Sequence, residues 1–137
     1  MIKNKLKAGI ASMVAVIAMS ASVLAGTNSY SYNQSFTVEA GWKAWDSEDV
    51  YFLEKTSHTM KVSFSKTYAK GTATISIDKN GLFGSSAIVY HDIAITTATA
   101  GIQYSWTFDN VSKGTRHYGF GSDATAHYRI SSFSDSW

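Results

Sequence analysis

From residue 35 onward the chain alternates apolar and polar residues with a period of two, and this pattern limits its fold more than any other feature. Phe36 and Val38 point one way, with Ser35, Thr37 and Glu39 opposite. The same rhythm runs through Val50, Phe52 and Glu54, through Met60, Val62 and Phe64, and through Ala73, Ile75 and Ile77. It returns in Ile102, Tyr104, Trp106 and Phe108, and in Ala126, Tyr128 and Ile130. Successive side chains of a strand face opposite sides, so such runs form strands that are apolar inward and polar outward. No segment past residue 25 sustains a 3.6-residue apolar period. Residues 41–49 have room for one helical turn at most.

Turn chemistry separates the runs. Lys70-Gly71, Asp78-Lys79-Asn80-Gly81, Asp109-Asn110 with Lys113-Gly114, and the stretch from Gly119 to Asp123 all read as reversals. Asn80-Gly81 is the strongest hairpin signal, because both residues tolerate positive φ. Gly84-Ser85-Ser86 also reads as a turn. The spacing predicts about seven to nine antiparallel strands in an all-β sandwich of jelly-roll or immunoglobulin-like type. The pattern does not encode the strand order. No repeat or linker divides the 137 residues, which fit one domain.

The N-terminus has a different character. Lys3, Lys5 and Lys7 precede an apolar run from Ala8 through Ala21, followed by small residues up to Ala25. A basic segment, a short apolar segment and small residues before a cut describe a secretory signal peptide. Cleavage is expected after Ala25, with Ala21 as the second candidate. The predicted organisation is a signal peptide over 1–25, a flexible polar lead-in over 26–34 and a sandwich domain over 35–137. The protein is expected to be secreted and extracellular. Removing residues 1–25 takes away three lysines and no acid, leaving 9 basic and 10 acidic residues and a net charge of −1. A nucleic-acid partner held by bulk charge is therefore not expected. The chain has no cysteine, so its core must hold without disulfides. Its 19 aromatic residues, all past residue 25, supply large buried area.

The C-terminal third reads Trp106-Thr107-Phe108-Asp109-Asn110-Val111-Ser112-Lys113-Gly114-Thr115, then Ala126-His127-Tyr128-Arg129-Ile130, ending Ser136-Trp137. It resembles the closing strands of small secreted β-sandwich proteins of Gram-positive bacteria. In those proteins an aromatic strand runs into Asn-Val-x-Lys-Gly-Thr-Tyr; here Arg116 stands in place of the Tyr. The resemblance implies export and a sandwich fold, and assigns no catalytic residue. The leader, the lack of Cys and the Tyr- and His-rich end are also similar to secreted bacteriocins of the lactococcin type.

Residues able to carry chemistry are few. Serines are abundant, but none sits in a Gly-x-Ser-x-Gly elbow. Gly119-Phe120-Gly121 lacks the third glycine and the helix of a nucleotide loop. Asp46-Ser47-Glu48-Asp49 reads as a solvated acidic loop, with calcium as the one ion its oxygens suit. His91, His117 and His127 are the candidate metal ligands, with His117 and His127 flanking one turn. Trp42, Trp45 and Tyr118 are the candidate ligand-binding aromatics, because exposed rings offer area to a sugar or a partner at low entropic cost. No cofactor is expected.

Three functions follow, in order. The first is a non-catalytic secreted binding or surface-associated protein, contacting cell-wall polysaccharide, another carbohydrate or a surface protein. The second is a bacteriocin-like antimicrobial that acts on membranes through rearranged strands. The third is a small metal-dependent hydrolase that uses the histidines.

Overall fold

A computed structural model describes residues 29–41, 45–82 and 84–137. The signal peptide expected over 1–25 lies outside these residues. The period-two runs become strands, and all strand pairs are antiparallel. The order is β1 (Ser29–Tyr32), β2 (Phe36–Val38), β3 (Trp45–Asp46), β4 (Val50–Phe52), β5 (Thr56–Ala69), β6 (Gly71–Gly81), β7 (Gly84–Ile95), β8 (Gln103–Val111), β9 (Gly114–Ser122) and β10 (His127–Ser136). A single 3₁₀ turn, Thr97–Thr99, joins β7 to β8.

The strands form two five-stranded sheets. In the first, β1 and β2 lie end to end along one side of β10, and β5 and β8 continue beyond it. In the second, β3 and β4 lie end to end along β9, followed by β6 and β7. Counting each end-to-end pair as one row gives eight rows. Their order is 1-8-3-6 in one sheet and 2-7-4-5 in the other. Two interlocked Greek keys of this kind make a jelly roll. This resolves the choice between jelly-roll and immunoglobulin-like types, and eight rows fall within the predicted seven to nine. The short strands divide the first two rows, giving ten segments.

The inner faces carry most of the residues that the alternation marks, Ile102 being an exception that precedes β8 and is 44% exposed. Val38, Val50, Phe52, Met60, Val62, Phe64, Ala73, Ile75, Ile77, Ala126, Tyr128 and Ile130 are all buried. Two local expectations change. Ser29–Tyr32 is a strand rather than flexible lead-in, because Ser-Tyr-Ser-Tyr is itself a period-two unit. Tyr30 and Tyr32 enter the core while the backbone pairs with Phe133 to Ser136. Gly84-Ser85-Ser86 is the start of β7 rather than a turn. The hairpin at Asn80-Gly81 does form, but both residues stay in the ladder, opposite Ser85 and Gly84. The reversal falls one step later, and Gly84 takes the positive φ, at 113°. At the β8–β9 turn, Arg116 donates to the carbonyls of Lys113 at 2.6 Å and Thr115 at 2.7 Å, which closes the turn.

The core includes tyrosine hydroxyls, and this has a pH consequence. Burial pushes the hydroxyls of Tyr30 and Tyr128 above the ordinary tyrosine value. Burial does the same for Tyr118, reinforced by the charge of Asp135 and the hydrogen bond to it. Groups whose folded value is raised stabilise the fold fully below their unfolded value, and that stability is lost as pH rises. Unfolding is therefore expected to begin above about pH 10, the unfolded tyrosine value, with ionisation of Tyr30, Tyr118 and Tyr128, followed by their ring NMR signals, coinciding with loss of β-sheet circular dichroism. Ionisation of these three rings without loss of structure would contradict it.

Candidate functional site

The outer face of the β9–β6–β7 sheet carries a groove, and its floor comes from the Gly119-Phe120-Gly121 segment. Phe120 is buried in the core, so both flanking glycines face outward. Glycine therefore leaves bare backbone along the middle of the face. At Gly119 a Cβ atom would lie 2.7 Å from both Asp78 Oδ2 and Ser76 Oγ, so only glycine fits that approach.

Register fixes what surrounds the floor. Ser76 lies between Gly119 and Tyr90, Thr74 lies between Gly121 and Asp92, and Asp78 lies between His117 and Ala87. All of these except His117 line a cavity of about 790 Å³. Gly41, Ser122, Asp123 and Ala124 close its far side. The Tyr90 ring is 63% exposed, so its face is open to a ligand. Thr74 donates to Asp92 Oδ1 at 2.7 Å, which fixes that carboxylate beside the ring. Asp123 serves the turn instead. It accepts from the N–H groups of Ala126 and Thr125, each at 2.8 Å, from the Thr125 hydroxyl at 2.9 Å and from the Thr72 N–H at 2.7 Å. Those bonds, led by Ala126, hold its carboxyl well below the usual range.

Beside the groove stand Asp46, Asp78 and His117. His117 Nε2 lies 3.7 Å from Asp78 Oδ2 and 4.0 Å from Asp46 Oδ1. His117 is 4% exposed and Asp78 6%, although both belong to an outer face. Asp78 Oδ1 is buried without a hydrogen-bond partner among the described residues. Asp46 arrives because β3 pairs with β9, Asp46 opposite Gly119. Ser47 then binds the Tyr118 backbone in both directions, accepting at Oγ and donating its own N–H. Asp46 thus ends β3 and Ser47 is tied to β9, while 47–49 form a loop in which Asp46 and Asp49 stay exposed and Asn80 donates to Asp49.

A second polar cluster is buried between the sheets. His58 Nδ1 donates to Asp135 Oδ2, and the Tyr118 hydroxyl donates to the same oxygen at 2.6 Å. His58 and Tyr118 are fully buried and Asp135 nearly so. His58 packs against Phe52, with centroids 4.2 Å apart, and stacks on Trp137 at 4.9 Å, while Phe52 and Trp137 also touch each other. This cluster faces no solvent and serves the core.

The predicted site residues are distributed differently from the expectation. Trp42 lies outside the described residues. Trp45 is not an open platform: it stacks on Phe36 with centroids 4.3 Å apart and meets Tyr32, Phe120 and Phe133 edge-on. Tyr118 is also a correction. It is fully buried because β9 runs straight through the presumed turn at Gly119, which keeps Tyr118 on the inner face. The three histidines do not converge. His91 packs against Trp106, His127 stacks on Tyr68, and His117 alone joins a ligand cluster, formed with two aspartates. Tyr90 and Asp78 went unmarked in the sequence. The signal that could have found the groove is the Gly-x-Gly pair, which at strand period clears one face.

No family model and no curated protein matches the chain. Among solved structures its fold is similar to the C-terminal CBM6 of LamC, a marine laminarinase from Zobellia galactanivorans. The two are 14% identical, the match covers 79% of this chain and 91% of that one, and the TM-score is 0.52. More distant is PirA, at 16% identity over 78% of this chain and 92% of that one, with a TM-score of 0.41. A protein of Bacillus endospore appendages matches at 13% identity over 80% and 88% of the two chains, with a TM-score of 0.38. At such identities the likeness concerns the fold alone.

Proposed function

We propose that this chain is a secreted, non-catalytic protein that binds a neutral carbohydrate chain in the groove of the β9–β6–β7 sheet. The observation that carries this reading is the glycine floor beside an exposed Tyr90 ring and the Asp78 and Asp92 carboxylates. Sugar rings present one flat apolar face and a rim of hydroxyls. A tyrosine ring offers a matching flat surface, and carboxylates and Ser/Thr hydroxyls accept or donate at the rim. The acidic lining disfavours anionic polymers. Among the relatives in fold, the CBM6 is by name a carbohydrate-binding module. The leader read from the sequence fits an extracellular glycan.

Electrophoresis through gels containing soluble glucans, together with pull-down on insoluble peptidoglycan, tests the reading. Retention on at least one polysaccharide is expected. Tyr90→Ala, at an exposed site, should leave the fold intact and weaken binding by about tenfold or more, equivalent to about 1.4 kcal/mol. No retention on any polymer, or retention indifferent to Tyr90→Ala, rejects the groove as a glycan site.

A further inference from the structure

We infer that Asp46, Asp78 and His117 form a binding site for one zinc ion beside the groove. Three separate strands deliver the ligands. Asp78 on β6 and His117 on β9 are directly opposite in the ladder, and Asp46 on β3 is opposite Gly119, two residues along β9. Cross-strand and diagonal neighbours on one face are within reach of each other. The arrangement therefore follows from the register and needs no loop to fold over it.

The distances lie at the long end of an ion pair and leave room for an ion. Hydrogen-bonded N and O atoms lie about 2.7–3.2 Å apart. His117 Nε2 stands farther off, 3.7 Å from Asp78 and 4.0 Å from Asp46. Ligand atoms around a tetrahedral ion with bonds of about 2.0–2.2 Å are about 3.4 Å apart. All three ligand atoms lie within 4.8 Å of one another, so side-chain shifts of up to about an ångström bring them to that spacing.

Burial supplies an independent observation. Asp78 is 6% exposed, and its Oδ1 is buried with no hydrogen-bond partner among the described residues. A carboxylate oxygen left in that state costs free energy, unless something else satisfies it. Oδ2 is the oxygen that faces His117, so a cation there reaches Oδ1 by taking the Asp78 carboxylate through both oxygens, and Asp78 also lines the groove. The donor set selects the ion. One imidazole nitrogen and two carboxylate oxygens suit zinc, whereas calcium takes six to eight oxygens and magnesium favours oxygen ligands with several waters. Three protein ligands leave a fourth position for water.

Titration of tag-free protein with zinc chloride, followed by calorimetry and by histidine ring NMR signals, tests the site. One ion per chain is expected, with the His117 ring signals moving first and calcium unable to compete. His117→Ala and Asp78→Asn should each weaken zinc binding by about tenfold or more, while His91→Ala and His127→Ala leave it unchanged. The ring signals of the unmodified protein report the site even if a variant misfolds. Zinc that shifts His91 or His127 in place of His117, or binding that survives both His117→Ala and Asp78→Asn, overturns the assignment, as does the absence of saturable binding. The titration uses the metal alone, so its outcome is separate from that of the glycan reading.

Discussion

Replacing Asp135 with alanine is expected to remove about 3–5 kcal/mol of folding stability, enough to unfold a marginal domain near body temperature. The argument rests on what would be left behind. Asp135 Oδ2 receives both the His58 Nδ1 hydrogen and the Tyr118 hydroxyl hydrogen, in a position with almost no solvent contact. Alanine leaves both donors buried without acceptors, at about 1–3 kcal/mol each, and adds a small void. Asp135→Asn keeps an acceptor oxygen and should cost less. Adding Tyr118→Phe to Asp135→Ala removes one stranded donor, so the pair of changes should cost less than the sum of the two singles. Urea unfolding followed by tryptophan fluorescence measures the four variants, Tyr118→Phe included, against the unmodified protein. A loss below about 1 kcal/mol for Asp135→Ala would mean that the two donors find other partners.

Phe133→Ala should be comparably damaging for an apolar reason. The Phe133 ring touches Tyr30, Tyr32 and Phe36 from its own sheet, and Trp45, Tyr118 and Phe120 from the facing one. It is 2% exposed, at the junction of both layers. Truncation there opens a cavity whose walls belong to six rigid rings that cannot all collapse inward. A loss of about 3–5 kcal/mol is expected, with a fall in the thermal midpoint of more than about 10 °C. Phe133→Leu refills part of the space and should lose less. Calorimetry of the two variants decides, and equal midpoints for both would show that the ring cluster is not packed around Phe133.

Much of the fold was legible because burial on a sheet repeats every second residue. Met60, Val62 and Phe64, or Ala73, Ile75 and Ile77, could be placed inside from their spacing alone. The strand order could not. Lys70-Gly71 looks like any reversal, yet it carries the chain from one sheet to the other, whereas Asn80-Gly81 keeps it in the same sheet. Local turn chemistry sets a change of direction and does not say which layer receives the next strand. The candidate site was less legible for a related reason. Tyr118 and Trp45 sit near glycines and polar residues, which suggests exposure. In the fold Gly119 beside Tyr118 is a strand residue at a close approach, and both rings pack into the core. His117 was marked, but its partners Asp46 and Asp78 lie in distant segments and meet it only through register.

The pairing of β1 with β10 also sets the timing of assembly. Ser29 lies opposite Ser136, so the earliest described strand completes its row only after β10 exists. Of the long strands, only β6 and β7 are neighbours both along the chain and within a sheet. Early contacts are thus confined to that one ribbon, and the remaining rows wait for distant segments to find each other. Such non-local closure is slow, on the order of milliseconds to seconds. A nascent chain of this topology stays pliable until nearly all of it has been made.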